Sequence, residues 1–147
     1  ASQLEAAIHL AFGNGKEVLI EEYIKGPEMT CGVFLQNGQA NALPITEIVS
    51  KNAFFDYKAK YEGASEEITP ARISPEQTDE CQKLSENIYT LLNCKGLARI
   101  DYLLKDGVFY FIEVNTTPGF SRESIIPQQI RAAGLNINDI VNQQINI

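Results

Sequence analysis

Apolar and polar positions along the 147-residue chain alternate between helical and strand periods. Leu4, Ala7, Ile8, Ala11 and Phe12 recur at helical spacing behind a Ser2-Gln3-Leu4-Glu5 capping box, and Gly13 and Gly15 close that helix. Val18 to Ile24 reads as a strand broken by Gly26-Pro27. Thr30 to Leu35 and Ala40 to Ile48 flank Asn37-Gly38, a strong hairpin signal. Val49 to Ile73 is polar and irregular, and a loop of that length in a compact domain is usually functional or disordered. Ser74-Pro75-Glu76-Gln77 opens a second helix whose apolar stripe is Cys81, Leu84, Ile88 and Leu91. Leu97 to Leu104 and Val108 to Val114 form a second hairpin around Lys105-Asp106-Gly107. A short helix follows from about Pro127 to Ala133, stopped by Gly134. Asn136 and Asp139 open a last helix, with Ile137, Ile140, Val141 and Ile145 inward. The expected class is α+β, a mostly antiparallel sheet covered by helices.

The register of the second hairpin decides whether it carries a site. A two-residue Asp106-Gly107 loop would pair Asp101 with Ile112 and send Glu113 to the opposite face. A three-residue loop closed by Gly107 in the left-handed region shifts the pairing by one. Asp101 then lies opposite Phe111 and Arg99 opposite Glu113. We expect the three-residue loop. Arg99, Asp101, Glu113 and Asn115 then share one face with Leu97, Leu103, Phe109 and Phe111. Ile100, Tyr102, Leu104, Val108, Tyr110, Ile112 and Val114 form the other, which asks for a core.

Two carboxylates close together on a partly apolar face repel and lose hydration. Arg99 balances one of them; a hard divalent cation balances both, with Asn115 supplying a further oxygen. Taken alone, an Asp and a Glu on paired strands are more often a surface hairpin with solvated charges.

Composition narrows the classes. Hydrophobic content of 44% and charged content of 21% suit one globular domain, expected to span residues 1–147. A net charge of −7 argues against nucleic-acid binding, which calls for a basic face. No apolar run approaches membrane-spanning length, so no membrane partner is expected. Cys31, Cys81 and Cys94 are odd in number and not spaced as metal ligands, which suggests reduced thiols in a cytoplasmic protein. The single histidine, His9, sits on the first helix without a matching partner, and cysteine catalysis is not expected.

The stretch Ile112-Glu113-Val114-Asn115-Thr116-Thr117-Pro118-Gly119-Phe120 ends a strand in Glu-x-Asn-x-x-Pro-Gly. It resembles the signature of ATP-grasp enzymes, and in this form most closely the D-alanine–D-alanine ligase family. The likeness covers nearly the whole chain, because further motifs follow in the family's order. Val18 to Thr30 resembles the family's adenosine-binding segment. The resemblance implies that Glu21 and the backbone near Ile24 meet the adenine edge and that Glu28 takes the ribose hydroxyls. A carboxylate accepts two hydroxyl hydrogens, which suits that role. Without the resemblance the same residues read as a strand end with solvated glutamates.

Phe54-Phe55-Asp56-Tyr57-Lys58-Ala59-Lys60-Tyr61 resembles the family's mobile loop, which closes over ATP. Lys60 would reach the terminal phosphate, and Tyr61 would hydrogen-bond towards the substrate pocket. By the same resemblance Asp101 and Glu113 bind one Mg²⁺ and Glu113 with Asn115 a second, Mn²⁺ being possible. Arg99 and the backbone of Gly119 stabilise the oxyanion. Ser124 and the backbone of Ile125 hold the second substrate's carboxylate. The family reaction phosphorylates one D-alanine with ATP, and the amine of a second attacks the acyl phosphate, for peptidoglycan synthesis.

The resemblance also implies parts without a match here. The family's N-terminal domain, glycine-rich loop and two phosphate-gripping lysines have no counterpart before Ser2. The chain is therefore expected to be the C-terminal portion of a longer ligase, inactive alone and homodimeric when full length. A ligase adding D-lactate or D-serine is the nearest rival, and Tyr61 favours the plain dipeptide. A carboxylase-type ATP-grasp enzyme would leave Lys60-Tyr61 and Ser124 as coincidences. A non-catalytic nucleotide-binding module sits poorly with intact Asp101, Glu113 and Asn115.

Overall fold

A computed structural model describes residues 2–13, 15–50 and 65–145. Among them, six strands pair antiparallel into one sheet and four helices accompany it. The centre is β1 (Glu28–Gln36), buried along most of its length. Asn37 and Gly38 then take left-handed φ angles of 52° and 76°, the geometry of a two-residue primed turn. β2 (Gln39–Ala42) returns along β1, pairing Val33 with Ala42.

The single return strand expected from Ala40 to Ile48 is in fact two. Pro44, which has no N–H to give to a ladder, sits in the break, and β3 (Thr46–Ser50) resumes against Glu28 to Thr30. The Leu43 N–H still reaches Gly32 O at 2.8 Å, so both pieces stay on the same edge of β1. β4 (Ser65–Ile68) pairs with β3. The stretch expected to be irregular from Val49 to Ile73 thus includes the end of β3 and all of β4. A four-residue strand carrying two glutamates is too short and polar to show a period.

Residues 18–24 hold no strand. Leu19, Ile20 and Tyr23 are 81%, 62% and 68% exposed there, and no strand pairs with the segment among the described residues. A β-rich sequence becomes a strand only where a neighbouring ladder accepts it. The preceding helix α1 (Ser2–Phe12) forms as expected, with Leu4 and Phe12 exposed.

Helix α2 (Pro75–Leu91) begins with a full capping box: Ser74 Oγ accepts from Gln77 N at 3.2 Å, and Gln77 Oε1 accepts from Ser74 N at 3.1 Å. It covers one face of the sheet through Cys81, Ser85 and Tyr89, with Leu84 and Ile88 partly buried beside them. Leu91, expected in the stripe, is 84% exposed, because the buried line runs through Ser85 and Tyr89 instead. Met29, Cys31, Val33, Ile100, Tyr102 and Phe109 meet α2 from the sheet. The cysteines are free, and burial pushes the Cys31 thiol up to about 12, so it stays protonated at neutral pH.

The opposite face packs Phe34 and Leu43 against Ile126 and Ile130 of α3 (Ile125–Ala132) and Ile140 of α4 (Ile137–Ile145). Ile145, expected inward, is 74% exposed.

The hairpin of β5 (Leu97–Lys105) and β6 (Val108–Asn115) corrects the expected loop. Asp106 and Gly107 have φ angles of 52° and 79°, and Lys105 pairs with Val108. The loop therefore has two residues, not three. Asp101 nonetheless pairs with Glu113 rather than Ile112, because a bulge falls between Tyr102↔Phe111 and Asp101↔Glu113 and leaves Ile112 without a partner. The facing changes along β6 as a result. Phe109 and Phe111 lie on the α2 face, with ring centroids 5.9 and 6.4 Å from Tyr102, and not on the face of Asp101. Val108 and Tyr110 pair with Lys105 and Leu103, opposite to expectation, while Glu113 and Asn115 keep the expected face.

Candidate functional site

Strand alternation and register assemble the site. On the face covered by α3, β1 contributes Glu28 and Thr30, β5 contributes Arg99 and Asp101, and β6 contributes Glu113 and Asn115. Thr30 and Glu113 flank Asp101 on its two sides, and Arg99 lies opposite Asn115. Asp101 sits on an interior strand and is 3% exposed, whereas Glu113 on the edge strand is open to solvent.

A buried carboxylate needs compensation, and Asp101 has it. Arg99 Nε donates to Oδ1 at 2.9 Å and Nη2 to Oδ2 at 2.8 Å, a bidentate pair with side chains 15% and 5% exposed. The Thr30 hydroxyl donates to Oδ1 at 2.5 Å. Hydrogen bonding to Asp101, with the added fields of Asp101, Glu113 and Glu28, raises the pKa of Arg99 and fixes its charge.

Beyond β6, Asn115 Oδ1 accepts from Thr117 N at 3.0 Å and turns the chain towards Pro118-Gly119. Gly119 lies against Ser124, since a Cβ there would stand 3.0 Å from Ser124 Oγ. Ser124 is the N-cap of α3, yet its hydroxyl makes no cap hydrogen bond; Oγ instead accepts from Ser121 N at 3.1 Å and lies 2.8 Å from Ser121 Oγ. Ile125 opens α3, whose first-turn N–H groups suit an anion.

Arg99, Asp101, Glu113 and Asn115 are thus brought together, with Glu28 on the same face, and Gly119, Ser124 and Ile125 follow as a second cluster. Glu21 and Ile24 lie in the irregular segment before β1, exposed and half-buried. Lys60 and Tyr61 fall outside the described residues. Thr30 and Gln129 were not singled out from the sequence. Thr30 stands two residues from Glu28 on one strand, which is a local signal for a shared face. Gln129 has none, because it is a polar residue on the buried side of a helix.

The oxygen donors suit a hard divalent cation. They are two carboxylates and one amide; among the described residues no group of three or more His, Cys, Asp or Glu could hold a metal ion. A carboxylate offers about four lone-pair sites, and the three hydrogen bonds to Asp101 leave one of them on Oδ2. Among the described residues no helix is long and apolar enough to cross a membrane.

A family model described as D-ala D-ala ligase C-terminus matches residues 1–146. The D-alanine--D-alanine ligase of Porphyromonas gingivalis is 52% identical over 142 residues, covering 96% of this chain and 43% of that protein. The crystal structure of D-alanine--D-alanine ligase from Bacillus anthracis complexed with ATP is 34% identical, with a TM-score of 0.78 over 99% of this chain and 47% of that one. The VanG D-Ala:D-Ser ligase from Enterococcus faecalis is also 34% identical, with a TM-score of 0.83 over 99% of this chain and 43% of that one. The chain spans less than half the length of these proteins.

Proposed function

The chain belongs to the D-alanine–D-alanine ligase family and matches its C-terminal part, and from that premise we propose that the full-length protein joins two D-alanines, using ATP, through an acyl phosphate. The observation that carries this reading is the Arg99–Asp101 pair opposite Glu113, with Asn115 two residues further on the same face. Carboxylates are poor electrophiles, and phosphorylation supplies the leaving group.

Asp101 and Glu113 would hold one Mg²⁺, and Glu113 with Asn115 a second; Mn²⁺ suits the same oxygens. Magnesium, when bound, neutralises charge on the transferring phosphate. Arg99 has N–H donors beyond the two given to Asp101, and with the Gly119 backbone N–H it stabilises the oxyanion. Ser124 and the Ile125 N–H bind the second substrate's carboxylate at the start of α3. Glu21 and the backbone near Ile24 meet adenine, Glu28 meets the ribose, and Lys60 and Tyr61 serve the phosphate and the substrate pocket. The upstream part of the same protein grips the phosphates from the other side. The whole is a cytoplasmic homodimer acting in peptidoglycan synthesis, with no nucleic-acid or membrane partner.

A second reading, D-alanine–D-serine ligation, draws on the likeness to the VanG ligase. One assay separates them: the full-length protein with ATP and D-alanine, with D-serine or D-lactate in competition. D-alanyl-D-alanine formed in step with ADP and phosphate is the expected result. Exclusive formation of a mixed product, or none at all, would overturn the proposal. The 147-residue chain alone is expected to make no dipeptide.

A further inference from the structure

Three hydrogen bonds meet on the buried Asp101 carboxylate, and one comes from a residue with no assigned part in the chemistry. Thr30 is 0% exposed and lies directly across from Asp101 in the β1–β5 ladder. Its hydroxyl and Arg99 Nε both donate to Oδ1, while Oδ2 receives Arg99 Nη2 alone. Oδ1 is therefore saturated and Oδ2 is the oxygen with capacity left. A β-branched side chain on a central strand has few χ1 choices, so this donor is stiff.

Thr30 is itself anchored. Its carbonyl oxygen accepts from Gln129 Nε2 at 2.9 Å, and Gln129 Oε1 accepts from Gly32 N at 3.0 Å. Gln129 Nε2 also donates to Thr46 Oγ1 at 3.0 Å. The amide is fully buried and pins α3 to β1 at Thr30 O and Gly32 N, on either side of Cys31, and to β3 at Thr46. The same helix begins at Ser124 and Ile125. Asp101 and the N-terminus of α3 thus share one anchor point.

We propose that Thr30 is a positioning residue: its hydroxyl occupies Oδ1 of Asp101, holds the Arg99–Asp101 pair in one orientation, and reserves Oδ2 for the cation. This rests on the metal role given to Asp101 above. The groups that orient metal ligands typically matter by about 10–100-fold in metal affinity.

The test uses the full-length protein as wild type, Thr30→Val and Thr30→Ser, with Mn²⁺ binding read by electron paramagnetic resonance beside a non-hydrolysable ATP analogue. The valine variant should bind Mn²⁺ about tenfold or more weakly, and the serine variant should return to within about threefold of wild type. In turnover, kcat should fall for Thr30→Val with little change in the KM for D-alanine. If the valine variant does not fold, Thr30→Ala is read in the same way. Unchanged Mn²⁺ binding on loss of the hydroxyl overturns the role of Thr30 alone. Serine as impaired as valine also overturns it, by showing that packing and not the hydroxyl matters. A wild-type protein that binds no Mn²⁺ overturns the metal reading and this inference together.

Discussion

Glu113 lies directly opposite Asp101, on the far side of a bulge that leaves Ile112 unpaired. The strand before the bulge keeps Phe109 and Phe111 against Tyr102 on the α2 face. The strand after it presents Glu113 and Asn115 beside Asp101 and Arg99. One inserted residue thus serves two packing demands that a regular ladder from a two-residue turn would set in conflict.

Glu113→Gln keeps the size and shape of an exposed edge-strand side chain while removing its charge. Stability should stay within about 0.5 kcal/mol of wild type. ATP-dependent dipeptide synthesis by the full-length protein should fall by about a hundredfold or more, since the carboxylate proposed to serve both cations loses its charge and one of its two oxygens. Near-normal turnover would refute the assigned role.

Arg99→Met leaves Asp101 buried with, among the described residues, only the Thr30 hydroxyl to compensate its charge. The expected loss is about 3 kcal/mol of folding stability, the cost of an unpaired buried ion. Urea denaturation measures it, and a midpoint equal to wild type would contradict the pairing.

At Gly32 a side chain has no room. A Cβ would stand 2.5 Å from Ile126 Cδ1 and 2.6 Å from Gln129 Oε1. Gly32→Ala should therefore cost about 1–3 kcal/mol by overpacking and loosen α3 from the sheet. Hydrogen exchange at the Gly32 amide, which donates to Gln129, should quicken relative to the β5 amides. Unchanged protection would show that the neighbouring side chains yield to the new methyl without loosening the helix.

Glu47, on β3, is held below the usual carboxylate range by hydrogen bonding to Arg72 and by its charge. A depressed folded-state pKa means that the unfolded chain binds the proton more readily. The stabilisation is therefore complete above the unfolded glutamate value of about 4.3 and is lost as pH falls through the folded value. Melting curves of wild type and Glu47→Gln should differ at pH 7 and converge as the solution becomes more acidic than about pH 4. A gap that stays constant down to pH 3 would remove Glu47 from the acid response.

What the sequence determined by itself is what acts over a few residues. Asn37-Gly38 specifies its turn because both positions need left-handed φ. Ser74 and Gln77 cap their helix because the donors and acceptors lie three residues apart. The Glu-x-Asn-x-x-Pro-Gly run places Glu113 and Asn115 on one face by strand period alone. Tertiary structure decided the rest. Residues 18–24 have β propensity and no strand, since a ladder needs a second backbone. The bulge at Ile112 answers to helices packed on both faces of the sheet, which no turn signal announces. Thr30 meets Asp101 across 71 residues, and Gln129 reaches Thr30 across 99. A hydrogen bond closed over such a distance has no local period or spacing, and it exists only because burial makes leaving those groups unpaired costly.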